Sequence, residues 1–230
     1  AYGGEKSESI QKLSVELKRN LFRIGINQYQ PVSFKEVDVL KYGFQALEQV
    51  IDPEKHNLVV IPPELSSNRR NGLFNRVAPT IENMVIKKRI KNITLFGYPD
   101  YQRFSGRELR MVFELNTVLY TPFYVDFEKE STQNVIQLFR NSFYTDPSAE
   151  YPYFGLLGFD IAYYFLNAVH EFGPDFERCI PYLQLNLCTS GFEFKRKNNW
   201  SGMVNTKINF LNYKRNFDIK KLDYSPSINP

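Results

Sequence analysis

Histidine and cysteine are scarce in this chain, with two of each at His56, His170, Cys179 and Cys188. A structural zinc site takes four ligands, and the two cysteines have only these two distant histidines to complete a set. We therefore expect no metal site. For the cysteines two alternatives stay open: a disulfide, which an exported chain would permit, or two free thiols.

Long apolar runs and an excess of charge are also lacking. No run is long enough to cross a bilayer, so we expect no membrane span. The net charge is only +4 and the basic residues are scattered, which is typical of a solvated surface and not of a nucleic-acid interface. The first residues do not have the pattern of a signal peptide. The opening AYGGEKSES resembles the end of a strand leading into a helix, so we expect a processed or truncated product.

The common catalytic motifs are absent as well. There is no GxGxxG, no P-loop, no HExxH and no GxSxG. A catalytic triad would need His56, which directly precedes a strand, or His170, which lies in an apolar helix. Glu64 and Asp100 follow neighbouring strands and could act as an acid–base pair, but carboxylates in such loops are more often caps or ligand acceptors. We expect a protein without enzymatic activity and without a cofactor.

What the chain does contain is a strand–helix–strand unit between His56 and Tyr101. Apolar runs at 58–61 and 93–96 each end at a loop rich in Pro or Gly, and about thirty residues separate them. This spacing predicts two parallel strands joined by a helix. The first run is continuously apolar, which predicts a strand buried on both faces. Pro79 lies inside the helical pattern and predicts a kink or a late start.

The same alternation of strands and helices extends on both sides of this unit and predicts an α/β fold with a doubly wound parallel sheet. Further strands are expected at 22–26 and 116–120, and a helix at 37–51. Beyond residue 121 we expect helices at 132–143, 159–172 and 175–185, the second of them apolar all round and therefore buried. The last forty residues predict antiparallel β-structure, with a turn at 198–202.

The loops after the two central strands form the candidate site. Ligands of open α/β sheets bind beyond the carboxyl ends of parallel strands, where serine hydroxyls and helix N-termini suit an anionic group and tyrosines supply an aromatic wall. The residues that we expect to bind a ligand are Glu64, Ser66, Ser67, Tyr98, Asp100 and Tyr101. The alternative is that these are ordinary turn and capping residues.

Four phrases carry a family resemblance: NLVVIPPELSS, ITLFGYPDYQRF, YPYFGLLGFDIAYYFLNAVH and the closing GFEFKRKNNWSGMVNTKINFLNY. Together they resemble the second lobe and C-terminal segment of type I periplasmic binding proteins, the solute receptors of branched-chain amino-acid ABC transporters. These four sequence segments are most similar to those of Bacteroidetes cell-envelope proteins in which this lobe accompanies a peptidoglycan-binding LysM module. The family's first lobe and the LysM module are both missing from this sequence.

The resemblance implies a domain arrangement and a function. Residues 1–120 would form a parallel lobe, and residues 121–230 would cross a hinge and add helices and a β-hairpin. The implied function is a non-catalytic, exported protein of the periplasm or cell envelope that closes on a small amino-acid-like or peptide-like ligand. The alternative is an envelope interaction or structural module whose degenerate cleft binds a protein or cell-wall glycan.

Overall fold

The structure is a computed structural model, and it describes residues 8–28, 32–62, 72–87, 90–198 and 200–222. The helices are α1 Glu8–Gln28, α2 Val39–Tyr42, α3 Ala46–Val50, α4 Leu73–Ile86, α5 Gly106–Glu114, α6 Glu130–Phe143 and α7 Phe154–Phe172. Short 3₁₀ helices cover Pro99–Arg103, Gly173–Arg178 and Ile180–Tyr182. The strands are β1 Asn57–Val60, β2 Ile93–Gly97, β3 Thr117–Thr121, β4 Phe194–Arg196, β5 Met203–Asn205, β6 Asn209–Tyr213 and β7 Ile219–Leu222.

The main sheet has five strands in the order β1-β2-β3-β6-β7. β1 and β2 run parallel, with Asn57 beside Ile93 and Val60 beside Phe96. Only five residues join β6 to β7, and a connection this short between neighbouring strands makes them antiparallel. The α/β class is therefore confirmed, but the sheet is mixed and the predicted wholly parallel sheet is wrong.

The strand–helix–strand unit predicted between His56 and Tyr101 forms as expected, as β1, α4 and β2. Helix α4 buries one face completely, because Val77, Ile81 and Met84 fall at helical spacing and are at most 1% exposed. The helix begins at Leu73 and runs through Pro79. Strand β1 is not buried on both faces as expected: Leu58 is 58% exposed, because β1 is the edge strand of the sheet.

Two predictions near the N-terminus are wrong. Residues 22–26 are not a strand but the continuation of α1, because a five-residue alternation is too short to distinguish a strand from a helix that is already under way. The helix expected at 37–51 is two short helices, α2 and α3. They are separated at Gly43, whose φ of 77° lies outside the helical region.

The helices predicted after β3 are partly confirmed. Helix α6 forms close to its expected bounds, while α7 begins five residues earlier than predicted. The complete burial expected for α7 is wrong, since Phe154 and Leu166 are 71% and 70% exposed. Residues 175–185 contain 3₁₀ turns instead of an α-helix, and Pro174 and Pro181 each remove a backbone donor there.

The four C-terminal strands belong to two different sheets. Strands β4 and β5 form the predicted antiparallel hairpin, with Phe194 beside Asn205. Strands β6 and β7 instead join the five-stranded sheet. The strong alternation of buried and partly buried residues in β6 is that of a strand inside a sheet.

The chain divides into two compact units. Unit 1 comprises residues 1–98, 105–118 and 213–219, and unit 2 comprises 99–104, 119–212 and 220–230. In unit 1 the buried face of α4 belongs to the core. Unit 2 has one apolar cluster around Val125, Ile136, Leu156 and Cys188, and another around Tyr164, Ile180 and Leu187. Among the described residues, no helix has the length and apolarity that a bilayer crossing requires.

Candidate functional site

Half of the predicted site residues cannot be placed. Glu64, Ser66 and Ser67 fall in the segment 63–71, which lies outside the described residues. Their role as ligand contacts stays a prediction.

The other three predicted residues follow β2. Tyr98 is half-buried and contacts Phe96 edge to face, with 6.3 Å between the ring centroids. In the 3₁₀ helix that follows, Tyr101 is 7% exposed and stacks on Phe104 at 4.8 Å. The Asp100 side chain is 77% exposed and lies 3.7 Å from the Arg103 guanidinium. Of these residues, Asp100 is the most accessible to a solute, whereas Tyr101 is chiefly a packing residue.

A buried polar group, Thr121, organises the chain where β3 ends. Its hydroxyl donates to the Phe123 carbonyl at 2.7 Å and accepts from the Gln102 side-chain amide at 3.0 Å. The Asn209 amide donates to Ser190 Oγ at 2.8 Å and to the Thr121 carbonyl at 3.4 Å. Because buried polar groups need partners, these bonds fix the course of the chain beyond β3.

The buried carboxylate of Asp160 holds the segment 187–191 in place. It is fully buried on α7, and its two carboxyl oxygens accept the backbone N–H groups of Cys188 at 2.9 Å and Thr189 at 2.6 Å. Helix α7 is otherwise apolar at its centre, and a buried carboxyl group in such a place is tolerated only when it is hydrogen-bonded. The arrangement ties segment 187–191 to the helix.

The same segment is bound to the chain that leaves β3. Val125 and Thr189 form an antiparallel bridge, and the Ser190 N–H donates to the Tyr124 carbonyl at 2.7 Å. The Lys129 ammonium donates to the Leu187 carbonyl at 3.0 Å. Two short segments, 124–129 and 187–191, are thus held side by side by backbone and side-chain bonds.

A pocket of about 300 Å³ opens between these two segments of unit 2; we name it the Lys129 pocket. Its lining residues are Tyr124, Asp126, Lys129, Leu185, Leu187, Cys188, Thr189, Ser190, Gly191 and Lys221. Leu187, Cys188 and Thr189 are buried, whereas Asp126, Lys129 and Lys221 are exposed. The pocket therefore combines a buried, hydrogen-bonded inner wall with charged groups of both signs at its edge.

The reactive groups of this pocket are held in their protonated forms. Burial raises the pKa of the Cys188 thiol to about 12, and the neighbouring Asp160 adds to the effect. Burial also raises the pKa of Tyr124, with smaller contributions from Asp126 and Glu128. At neutral pH both groups are neutral, so the pocket offers hydrogen bonds and charge–charge contacts and no thiolate nucleophile.

Sequence reasoning did not single out the residues of this pocket. Cys188 drew attention only through its redox alternatives, and both cysteines are free thiols in the structure. Asp160 was the available signal, because one acidic residue in the middle of an apolar helix must find buried donors. The partners that it finds lie 28 and 29 residues away, a distance that no local pattern encodes.

Metal ligands and histidines are the remaining groups of chemical interest in the described part of the chain. No group of three or more His, Cys, Asp or Glu side chains suited to a metal ion occurs there. His56 and His170 are both exposed. Comparison of the chain with protein-family models and with curated proteins found no match to either.

Proposed function

We propose that this protein is a non-catalytic binding protein for a small solute and that the solute occupies the Lys129 pocket. The observation that carries the proposal is the pocket itself, with its buried wall of 187–189 and its charged edge. Its volume of about 300 Å³ is at the lower end of the range for small-molecule sites, about 300–1,000 Å³. A ligand of amino-acid or dipeptide size fits this volume.

The polar groups favour a ligand that carries both a carboxylate and an ammonium group. Lys221 and Lys129 supply positive charge; Lys129 uses one donor on Leu187 and has two left. Asp126 supplies negative charge, and Leu185 and Leu187 supply an apolar wall. On the strength of the family resemblance alone, we also propose that the protein works in the periplasm or cell envelope.

The proposal is tested by thermal unfolding and calorimetry with free amino acids, dipeptides and muropeptides. A true ligand at about a hundredfold excess over its Kd is expected to raise Tm by about 5–10 °C. Lys221→Gln removes one charged contact and is expected to raise Kd about tenfold.

Lys220→Gln is the matched control for that variant. Lys220 is the neighbouring exposed lysine of β7, and successive side chains of a strand point to opposite faces, so this change is expected to leave Kd unaltered. The binding proposal is wrong if no compound of the three classes shifts Tm. The assignment to this pocket is wrong if both variants bind equally.

A second candidate function is an interaction module, and one specific observation favours it: a wide apolar face of α7 is exposed. In this function the face binds a macromolecule, and the resemblance suggests an envelope protein or cell-wall glycan. Co-sedimentation with purified peptidoglycan tests the glycan. Binding that Leu166→Asp abolishes is the expected outcome, and no binding by the unmodified protein contradicts a glycan partner.

A further inference from the structure

Helix α7 has two apolar sides, of which only one is covered. The inner side carries Leu156, Asp160 and Tyr164, all buried. The opposite side, which we name the α7 outer face, presents large exposed side chains: Phe154, Phe159, Ile161, Tyr163, Leu166 and Val169. A helix that is apolar on every side belongs in an interior or an interface.

The α7 outer face is also almost free of charge. Apart from Tyr163, the titratable side chains exposed on α7 are His170 and Glu171, both near its C-terminal end. Helices that bind membrane surfaces carry Lys or Arg on the polar side beside their apolar one, and α7 has neither residue anywhere along its length. An apolar, uncharged surface is the partner that this face favours most.

We propose that the α7 outer face is the interface of a homodimer, in which a second copy of this chain supplies the covering surface. This inference rests on the interaction role of the second candidate function, but it takes a second copy of the chain as the occupant of the face; it is independent of the Lys129 pocket. The six large side chains leave on the order of 500–600 Å² exposed. Two copies together would bury at most about 1,000–1,200 Å², which is the low end for a specific interface, so the expected dimer is weak and reversible.

The face is complementary to itself when two α7 helices pack antiparallel. Gly158 and Ala162 lie at its centre, and the space above Gly158 is open: a Cβ there would meet no atom within 4 Å. With the twofold axis at Ala162, the residue opposite Leu166 is Gly158 of the second copy. A large side chain then meets a gap on each side of the axis, as an isologous interface requires.

Sedimentation velocity of the full chain from about 1 to 200 μM measures the proposed dimer directly. The unmodified protein is expected to shift from monomer to dimer within this range. Leu166→Asp places two carboxylates, one from each copy, in the apolar interface of the dimer and is expected to weaken association at least 100-fold. Leu138→Asp is the matched control, because Leu138 is a 60% exposed leucine on α6, and it is expected to dimerise normally.

Disulfide trapping tests the antiparallel geometry. In a Cys179→Ser background, Ala162→Cys places two thiols across the axis and is expected to give a covalent dimer under mild oxidation. His170→Cys is the control: in the antiparallel pair the two thiols are about 24 Å apart along the helices and should not link. Equal linking of both variants contradicts the antiparallel arrangement.

Two results overturn the dimer. One is a monomer at every concentration, and the other is a dimer that Leu166→Asp leaves intact. Folding of each variant is checked by circular dichroism, and since Leu166 is 70% exposed its replacement is expected to leave the fold unchanged. Flotation with neutral and anionic vesicles is run in parallel, and binding by the unmodified protein that Leu166→Asp removes would count against a second copy as the occupant.

Discussion

At the scale of single residues, Asp160 has the clearest role in the described part of the chain. It lies in the GLLGFD phrase that contributed to the family resemblance, yet its contacts are structural: it accepts two backbone N–H groups of the segment that forms the wall of the Lys129 pocket. A residue can therefore matter to a binding site without touching a ligand.

Replacing Asp160 by Asn tests this role. The amide offers one acceptor and one donor, so one of the two backbone N–H groups faces another donor in a buried place. We expect a loss of about 2–4 kcal/mol in the free energy of unfolding, measured by urea denaturation. Asp175→Asn, at an exposed position, is expected to change it by less than about 0.5 kcal/mol. Equal midpoints for the two variants would show that the Asp160 bonds are unimportant.

Cys188 gives a prediction about pH. Its pKa is raised to about 12 by burial, so the folded protein keeps this proton at pH values where the unfolded chain, with an ordinary thiol pKa near 8.5, loses it. The contribution of Cys188 to stability is therefore complete below about pH 8.5 and declines as the pH rises toward 12. Iodoacetamide labelling at pH 8 is expected to modify Cys179, which is half-buried, much faster than Cys188.

Two controls accompany the labelling. In 8 M urea both cysteines are expected to react at similar rates, and Cys188→Ala is expected to flatten the decline of stability between about pH 9 and 11. Fast labelling of Cys188 in the folded protein would contradict its burial. A mass lower by two hydrogen atoms in the unlabelled protein would show a disulfide in place of the free thiols.

At the scale of elements, helix α6 ends at a residue whose backbone conformation is strained. The residue after the helix, Tyr144, has a φ of 54° in the left-handed region, and its N–H donates to the Arg140 carbonyl at 2.8 Å. Glycine is the residue that usually occupies this position, since any Cβ is crowded there. The Tyr144 side chain is 94% exposed, so it has little packing to lose.

Tyr144→Gly is accordingly expected to stabilise the protein by about 1 kcal/mol, or a rise of about 2–4 °C in Tm measured by calorimetry. Tyr144→Ala keeps the Cβ and is the matched control, for which no such gain is expected. A Gly variant that is no more stable than the Ala variant would show that the left-handed conformation carries no strain here.

The elements also show where local patterns suffice. The sequence alone predicted β1, α4 and β2, because apolar spacing and Pro- or Gly-containing ends agree there. The prediction is wrong at residues 22–26, where a short alternation belongs to the end of a long helix, and at α7, where several large apolar side chains are exposed. The apolar content of a helix shows which side chains it carries. It does not show whether another element covers each of its faces.

At the scale of the whole molecule, each compact unit is assembled from three separate stretches of chain. Unit 1 takes its last stretch from 213–219, where Tyr213 and Phe217 pack on Phe113 at 5.0 and 5.1 Å. Arg215 donates to the backbone carbonyls of Lys91 and Glu114, both at 3.1 Å. These contacts span more than ninety residues, so a stretch near the C-terminus completes a unit that is built mainly from the first half of the chain.

The sequence by itself determined the α/β class, the central strand–helix–strand unit, helix α6 and the antiparallel hairpin of β4 and β5, because each depends on a local period or a turn. Only the tertiary structure decided that β6 and β7 join the main sheet, that Asp160 meets Cys188 and Thr189, and that the Lys129 pocket exists. Those features depend on pairings between distant residues. Such pairings are selected by the burial and hydrogen-bond satisfaction of the whole chain, and a local pattern does not contain them.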